Sequence, residues 1–182
     1  MKAFTMKTPL IFCVFGIGLT GIARAEVRET RENGFVIESV VTVDAPPASV
    51  YRDLIRVALW WDPAHTWSGS ARNLKLDPRA GGCFCEKLPD GGSVQHGQVI
   101  FAQPGKQLRI DGALGPLQEM AVSGVLTFNL APDGSGTRIT MTYRVAGALT
   151  MDSAKLAPLV DQVMGVQLGR LRSLASGAPV GH

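Results

Sequence analysis

The 182 residues carry 18 Lys+Arg against 15 Asp+Glu, with no long basic run and no basic helix face. Nucleic-acid binding is built on neutralising phosphates, so this distribution excludes nucleic acid as an expected partner. Residues 1–25 read as a cleavable secretory signal. Lys2 and Lys7 make a basic start, an apolar run follows from Pro9 to Ile22, and Ala23-Arg24-Ala25 supplies the small-x-small pattern of a cleavage site. The run is too short and too glycine-rich for a membrane span of roughly 20 apolar residues, so no membrane insertion is expected after cleavage. Cleavage after Ala25 places the mature chain, from Glu26, in the periplasm or outside the cell. Lys2, Lys7 and Arg24 leave with the signal and no acid does, so 15 basic residues then face 15 acidic ones. Removing 25 of 182 residues leaves 157, a length that suits one domain with a single core.

Glu26 to Asn33 (EVRETREN) is charged and aperiodic and reads as a solvated tether. Gly34 to Asp44 is rich in β-branched residues, with Phe35, Ile37, Val41 and Val43 on one face, and predicts a strand. Asp44-Ala-Pro-Pro is a helix-start signal, and Val50, Leu54 and Val57 follow at helical spacing. The aromatic segment ALWWDPAHTWSGS, broken by Pro63, predicts a short helix or loop. From Ser70 the pattern is strand and turn. Strands are expected around Leu74 and Leu76, over Cys83 to Leu88, Val94 to Gln103, Gln107 to Ala113 and Met120 to Leu130, and around Ile139 to Val145. A helix of about 18 residues, Ala157 to Leu174, closes the domain, with Pro158 expected in its first turn. So apolar a helix must be largely covered. Gly165 and Gly169 sit mid-helix, which points to a close approach or to space left for something else. Residues 34–175 thus form the domain and 176–182 a frayed tail. The expected architecture is α+β: a curved antiparallel sheet wrapped around the long C-terminal helix, with an apolar cavity between them.

The layout resembles the SRPBCC (START-like) superfamily. The resemblance rests on Trp60-Trp61 after the first helix, Gly81-Gly82 opening a strand, Asp90-Gly91 in the next hairpin, Gly97 followed by Val99, Pro104 before Leu108, and the Leu-rich closing helix. It extends over about Gly34 to Leu174 and is greatest for the heat-shock-ATPase-activator-like and polyketide-cyclase-like branches. It implies a helix-grip fold with a deep apolar pocket. Members of the superfamily bind lipids, hormones or polyketides, and some catalyse cyclisation or ring cleavage.

The expected partner is a hydrophobic small molecule, with no cofactor and no metal. The apolar faces of Met120 to Leu130 and Ile139 to Val145 nominate Val122, Gly124, Leu126, Phe128, Met141 and Tyr143 as pocket residues, closed by Val163 and Gly165 of the helix. Gly124 and Gly165 are where room is expected. Trp60, Trp61 and Trp67, with His65 among them, are candidates for the mouth, against the alternative of core packing. Arg109, Asp111 and Gln118 flank GALGPLQ and offer polar contacts at one end, or plain surface charge.

Glu86 and His96 are the best acid/base candidates, since a carboxylate opposite an imidazole can transfer protons; a structural hydrogen-bonded pair is the alternative. Cys83 and Cys85, at i and i+2 of a strand, have Cα atoms roughly 6.5–7 Å apart. That lies at the upper edge of disulfide geometry, so two buried thiols are expected. A metal site with His96 as third ligand is the sharper alternative. The hairpin register decides between these. Pairing Leu88 with Ser93 sets Cys85 opposite His96, whereas pairing Leu88 with Val94 sets Glu86 opposite His96. Phe84 and Leu88 are bulky and apolar while Lys87 prefers water, which favours the second register, with a bulge near Gly97, Phe84 as a further pocket residue, and Glu86 and His96 facing the pocket together. No Ser/His/Asp triad spacing, phosphate-binding glycine loop or metalloprotease motif is present. Three functions remain: ligand binding, which leads, a cyclase, hydrolase or isomerase using Glu86 and His96, and a protein-interaction module.

Overall fold

The computed structural model describes residues 24–180, and the expected signal lies outside them except for its last two residues. Eight antiparallel strands form one curved sheet: β1 (Arg24–Arg31), β2 (Gly34–Val43), β3 (Leu74–Leu76), β4 (Cys83–Lys87), β5 (Ser93–Gln103), β6 (Gln107–Asp111), β7 (Ala121–Asp133) and β8 (Gly136–Ala148). Their spatial order is β1-β2-β8-β7-β6-β5-β4-β3. A short helix, α1 (Pro47–Leu54), follows β2, and a long one, α2 (Ser153–Ala175), ends the domain. This is the expected α+β helix-grip fold.

The strands arise where alternation is clean. In β8, Ile139, Met141, Tyr143 and Val145 are buried and Arg138 and Arg144 are exposed. α2 lies across the inner face, with Leu156, Ala157, Met164, Leu168 and Leu171 buried. It begins four residues before the expected start, because Asp152 caps it by accepting from the N–H groups of Ala154 and Lys155. Pro158 is therefore inside the helix, past its first turn.

The segment expected to be a tether is structural. Most of it belongs to β1, which pairs along β2 with a bulge between Val27 and Glu29. Val27 packs against the core, and the Ser153 hydroxyl donates to the Arg31 carbonyl at 2.6 Å, tying the start of α2 to the end of β1. The charges are compatible with a strand because the outward side chains pair, as Arg28 does with Glu26 and Glu38. Local charge hid an edge strand whose stability comes from its neighbours.

The β4–β5 hairpin takes neither expected register throughout. Cys83 pairs with Gln98 and Phe84 with Gly97; beyond a shift, Cys85 pairs with Gln95 and Glu86 with Val94. His96 is the extra residue of the bulge. Cys83 and Cys85 are joined as a disulfide with Cα atoms 5.4 Å apart, which corrects the expectation of free thiols. The contraction of β4 at the bridge brings the pair inside disulfide range. The thiol/imidazole metal cluster is likewise not formed, and among the described residues no three His, Cys, Asp or Glu side chains gather to hold a metal.

Candidate functional site

His96 alternates in step with Val94, the partner of Glu86, and so shares the inner face with Phe84 and Glu86, while the bulge turns Gly97 to that face as well. Its ring packs on Phe84, centroids 5.0 Å apart, and Nε2 lies 2.9 Å from Glu86 Oε2. Glu86 is 1% exposed and His96 6% exposed, so the pair is sealed on the protein side. Glu86 also accepts from the backbone N–H groups of Trp67 at 3.2 Å and Ser68 at 2.6 Å. Burial works to raise the Glu86 pKa, but the hydrogen bonds from Ser68, Trp67 and His96 outweigh it and hold the carboxyl below its ordinary value. The expected pair thus exists although its expected register does not.

His96 lines a cavity of about 510 Å³ between the sheet and the N-terminal half of α2. Leu156, Leu159, Val160, Val163 and Met164 of α2 make one wall, with Met151 just before the helix. Leu114 to Leu117 and Met120 make a second, and Trp61, Ala64 to Trp67 and Tyr143 complete the enclosure. Trp67 is 49% exposed and stands at the rim, while Trp61 is buried and donates Nε1–H to the His65 carbonyl.

Of the expected pocket residues, Trp61, His65, Trp67, Tyr143, Val163 and His96 line this cavity. Trp60, Phe84, Leu126, Phe128 and Met141 do not, because the core is closed where they lie. Trp60 meets Phe128 edge-on at 6.4 Å, sends Nε1–H to the Leu54 carbonyl, and occupies the space the sheet face was expected to leave open. Val122 packs at the margin of the core, outside the cavity lining. Gly124 is not a void either. A Cβ there would sit 2.6 Å from the Tyr143 hydroxyl and 2.7 Å from the Gly112 carbonyl, so the glycine serves a close approach. Gly165 is partly buried and outside the lining. Of the polar residues flanking GALGPLQ, Asp111 accepts from Ser123 on the surface, Arg109 lies over Phe101, and Gln118 donates to the Gln95 carbonyl.

Two contributions were missed. The Gly115–Glu119 turn, a 3-10 helix, presents apolar residues to the cavity; its Gly-Pro composition signalled only a loop. The other is Gln167, wholly buried on α2. Its Oε1 accepts the Asp62 N–H at 2.8 Å, and Nε2 is 2.9 Å from His65 Nδ1. Arg170 Nε donates to the Trp60 carbonyl at 2.8 Å. These side chains bind the Trp60–His65 segment to the helix. The signal was available, since position 167 belongs to the buried stripe of Met164, Leu168 and Leu171, and a polar residue there requires partners.

Comparisons with known proteins bear on the fold. The chain is similar to solved structures of the same build. An uncharacterised protein from Rhizobium leguminosarum is 20% identical with a TM-score of 0.59, over 86% of this chain and 99% of that one. Protein MLL2253 from Mesorhizobium loti is 19% identical with a TM-score of 0.56, over 79% and 98%. CalU16 from Micromonospora echinospora is 17% identical with a TM-score of 0.55, over 87% of each. No family model matches the chain, and no curated protein matches it. At these identities the likeness is one of fold.

Proposed function

We propose that this is an exported, START-like (SRPBCC) protein that binds a hydrophobic or aromatic small molecule in the cavity under α2. The observation that carries the reading is the cavity itself. Its volume of about 510 Å³ falls in the usual range for small-molecule sites, and its walls are mostly aliphatic and aromatic. The superfamily assignment is supported by the helix-grip architecture and the motifs around Trp60-Trp61 and Gly81-Gly82. Export is supported by the sequence of residues 1–25.

Val163→Trp fills the cavity from the helix side. It should weaken binding of an apolar fluorescent probe about tenfold or more while circular dichroism stays native, in line with the cost of overpacking a filled site. Unchanged probe affinity in the folded variant would sink the reading. For export, N-terminal sequencing of protein from the secreted or periplasmic fraction should begin at or near Glu26; a chain beginning at Met1 there would reject cleavage.

A second reading, an acid/base enzyme, is favoured by one observation: the Glu86–His96 pair is hydrogen-bonded at 2.9 Å and His96 faces the cavity. In that reading His96 exchanges a proton with the bound molecule while Glu86 orients the ring and stabilises the imidazolium. Conversion of a co-purifying ligand by the wild type but not by His96→Gln would select it over simple binding.

A further inference from the structure

We propose that the cavity selects a neutral apolar molecule carrying a hydroxyl group, which donates to His96 Nδ1 and accepts from His65 Nε2–H; the inference rests on the binding reading above. It follows from counting which polar groups of the lining are already committed. Trp61 Nε1–H is committed to the His65 carbonyl, and the Thr66 hydroxyl donates to the Pro63 carbonyl. The Tyr143 hydroxyl accepts from the Leu114 N–H at 3.0 Å and donates to the Gly112 carbonyl at 2.9 Å. Among the lining side chains what remains is one nitrogen on each of two imidazoles, that of buried His96 and that of His65, which is exposed at the rim.

Their roles are set by their other nitrogens. The Asp62 N–H can only donate, so the Gln167 atom facing it is the oxygen and the Gln167 amide group facing His65 is NH2. His65 Nδ1 is then an acceptor and its ring proton is on Nε2. The Asp62 carboxylate, 3.9 Å from Nδ1, is beyond hydrogen-bond reach and does not alter this. For His96 the partner is the Glu86 carboxylate, which can only accept, so Nε2 carries the proton and the neutral ring presents Nδ1 as a bare acceptor. Neither free nitrogen has a protein partner among the described residues, and neither is sealed off as a buried unsatisfied atom. The cavity therefore offers one acceptor and one donor in an apolar surround, the complement of a hydroxyl. An anionic head is disfavoured because the Glu86 charge stands directly behind His96.

Pyrene, 1-hydroxypyrene and 1-pyrenecarboxylate compare these cases on one apolar frame by fluorescence titration at pH 8, above the ordinary histidine range. The hydroxylated probe should bind about 3- to 10-fold more tightly than pyrene, as one or two net hydrogen bonds allow, and the carboxylate more weakly than either. His96→Phe, and separately His65→Phe, should lower the ratio of 1-hydroxypyrene to pyrene affinity toward one. The wild-type series is decisive even where a variant fails to fold. Equal binding of pyrene and 1-hydroxypyrene, or tightest binding of the carboxylate, overturns the hydroxyl assignment and leaves the cavity reading standing. Binding of none of the three overturns both.

Discussion

Glu86 carries its charge inside the core because three donors surround it: the Trp67 and Ser68 N–H groups and His96 Nε2. Its folded pKa lies below the ordinary 4.5, since these bonds outweigh the burial that would raise it. A carboxyl with a depressed folded value contributes stability that is fully present above the unfolded value. That contribution is lost as pH falls through the folded one. Glu86→Gln should therefore cost about 1–3 kcal/mol at pH 7, the usual range for breaking buried charged hydrogen bonds. Urea unfolding should show the gap to wild type constant from pH 7 to about 5 and shrinking as the pH drops below 4.5. A gap independent of pH would show that Glu86 is not held as a carboxylate. The pairing of Glu86 with His96 was legible in residue type and strand position. The three-donor cage was not, because Trp67 and Ser68 come from a loop whose path no periodicity encodes.

Strand β4 shows what an element does beyond the preferences of its residues. The bridge contracts Cys83 to Cys85 to 5.4 Å between Cα atoms, against roughly 6.5–7 Å in a straight strand. The partner strand β5 answers with one extra residue, His96, between the pairs Phe84–Gly97 and Cys85–Gln95. A loop this short gives the bridge only about 1.5 kcal/mol by chain entropy, so its larger effect is on local geometry. Cys83→Ser/Cys85→Ser should cost no more than that in chemical unfolding and yet shift the His96 ring signals in NMR spectra. Identical ring signals would separate the bulge from the bridge. The sequence carried the need for a bulge near Gly97 in the conflict between Val94 and Ile100 on one side and Val99 and Phe101 on the other. It did not carry the disulfide, because spacing alone implies an unbent strand. The β1 segment failed for a related reason: its charges describe its solvent face, and its pairing with β2 is a tertiary fact.

At the scale of the molecule, alternation revealed which faces are apolar but not where sheet and helix cease to touch. Trp60, Phe128, Leu168 and Leu171 close one end, and the cavity is confined to the other, under Met151 and Leu156 to Met164. α2 is correspondingly unequal along its length. Its C-terminal half is clamped by Gln167 and Arg170 to the Trp60–Asp62 backbone, with Leu168 and Leu171 fully buried. Its N-terminal half rests on the cavity, leaves Leu159 54% exposed, and is fastened at its tip by the Ser153 hydroxyl. Between tip and clamp, Pro158 supplies no N–H, so the Ala154 carbonyl lacks its helical bond. The half of the helix that roofs the cavity is therefore the less tightly held half, with one helical bond fewer at Pro158. In the proposed binding role, ligands are expected to enter and leave by opening of this half rather than through a fixed aperture. Amide hydrogen exchange in the empty protein should be faster over 155–163 than over 166–172, and a bound apolar probe should slow the first stretch selectively. Uniform exchange along α2 would mean that the roof does not move and that ligands pass at the Trp67 rim.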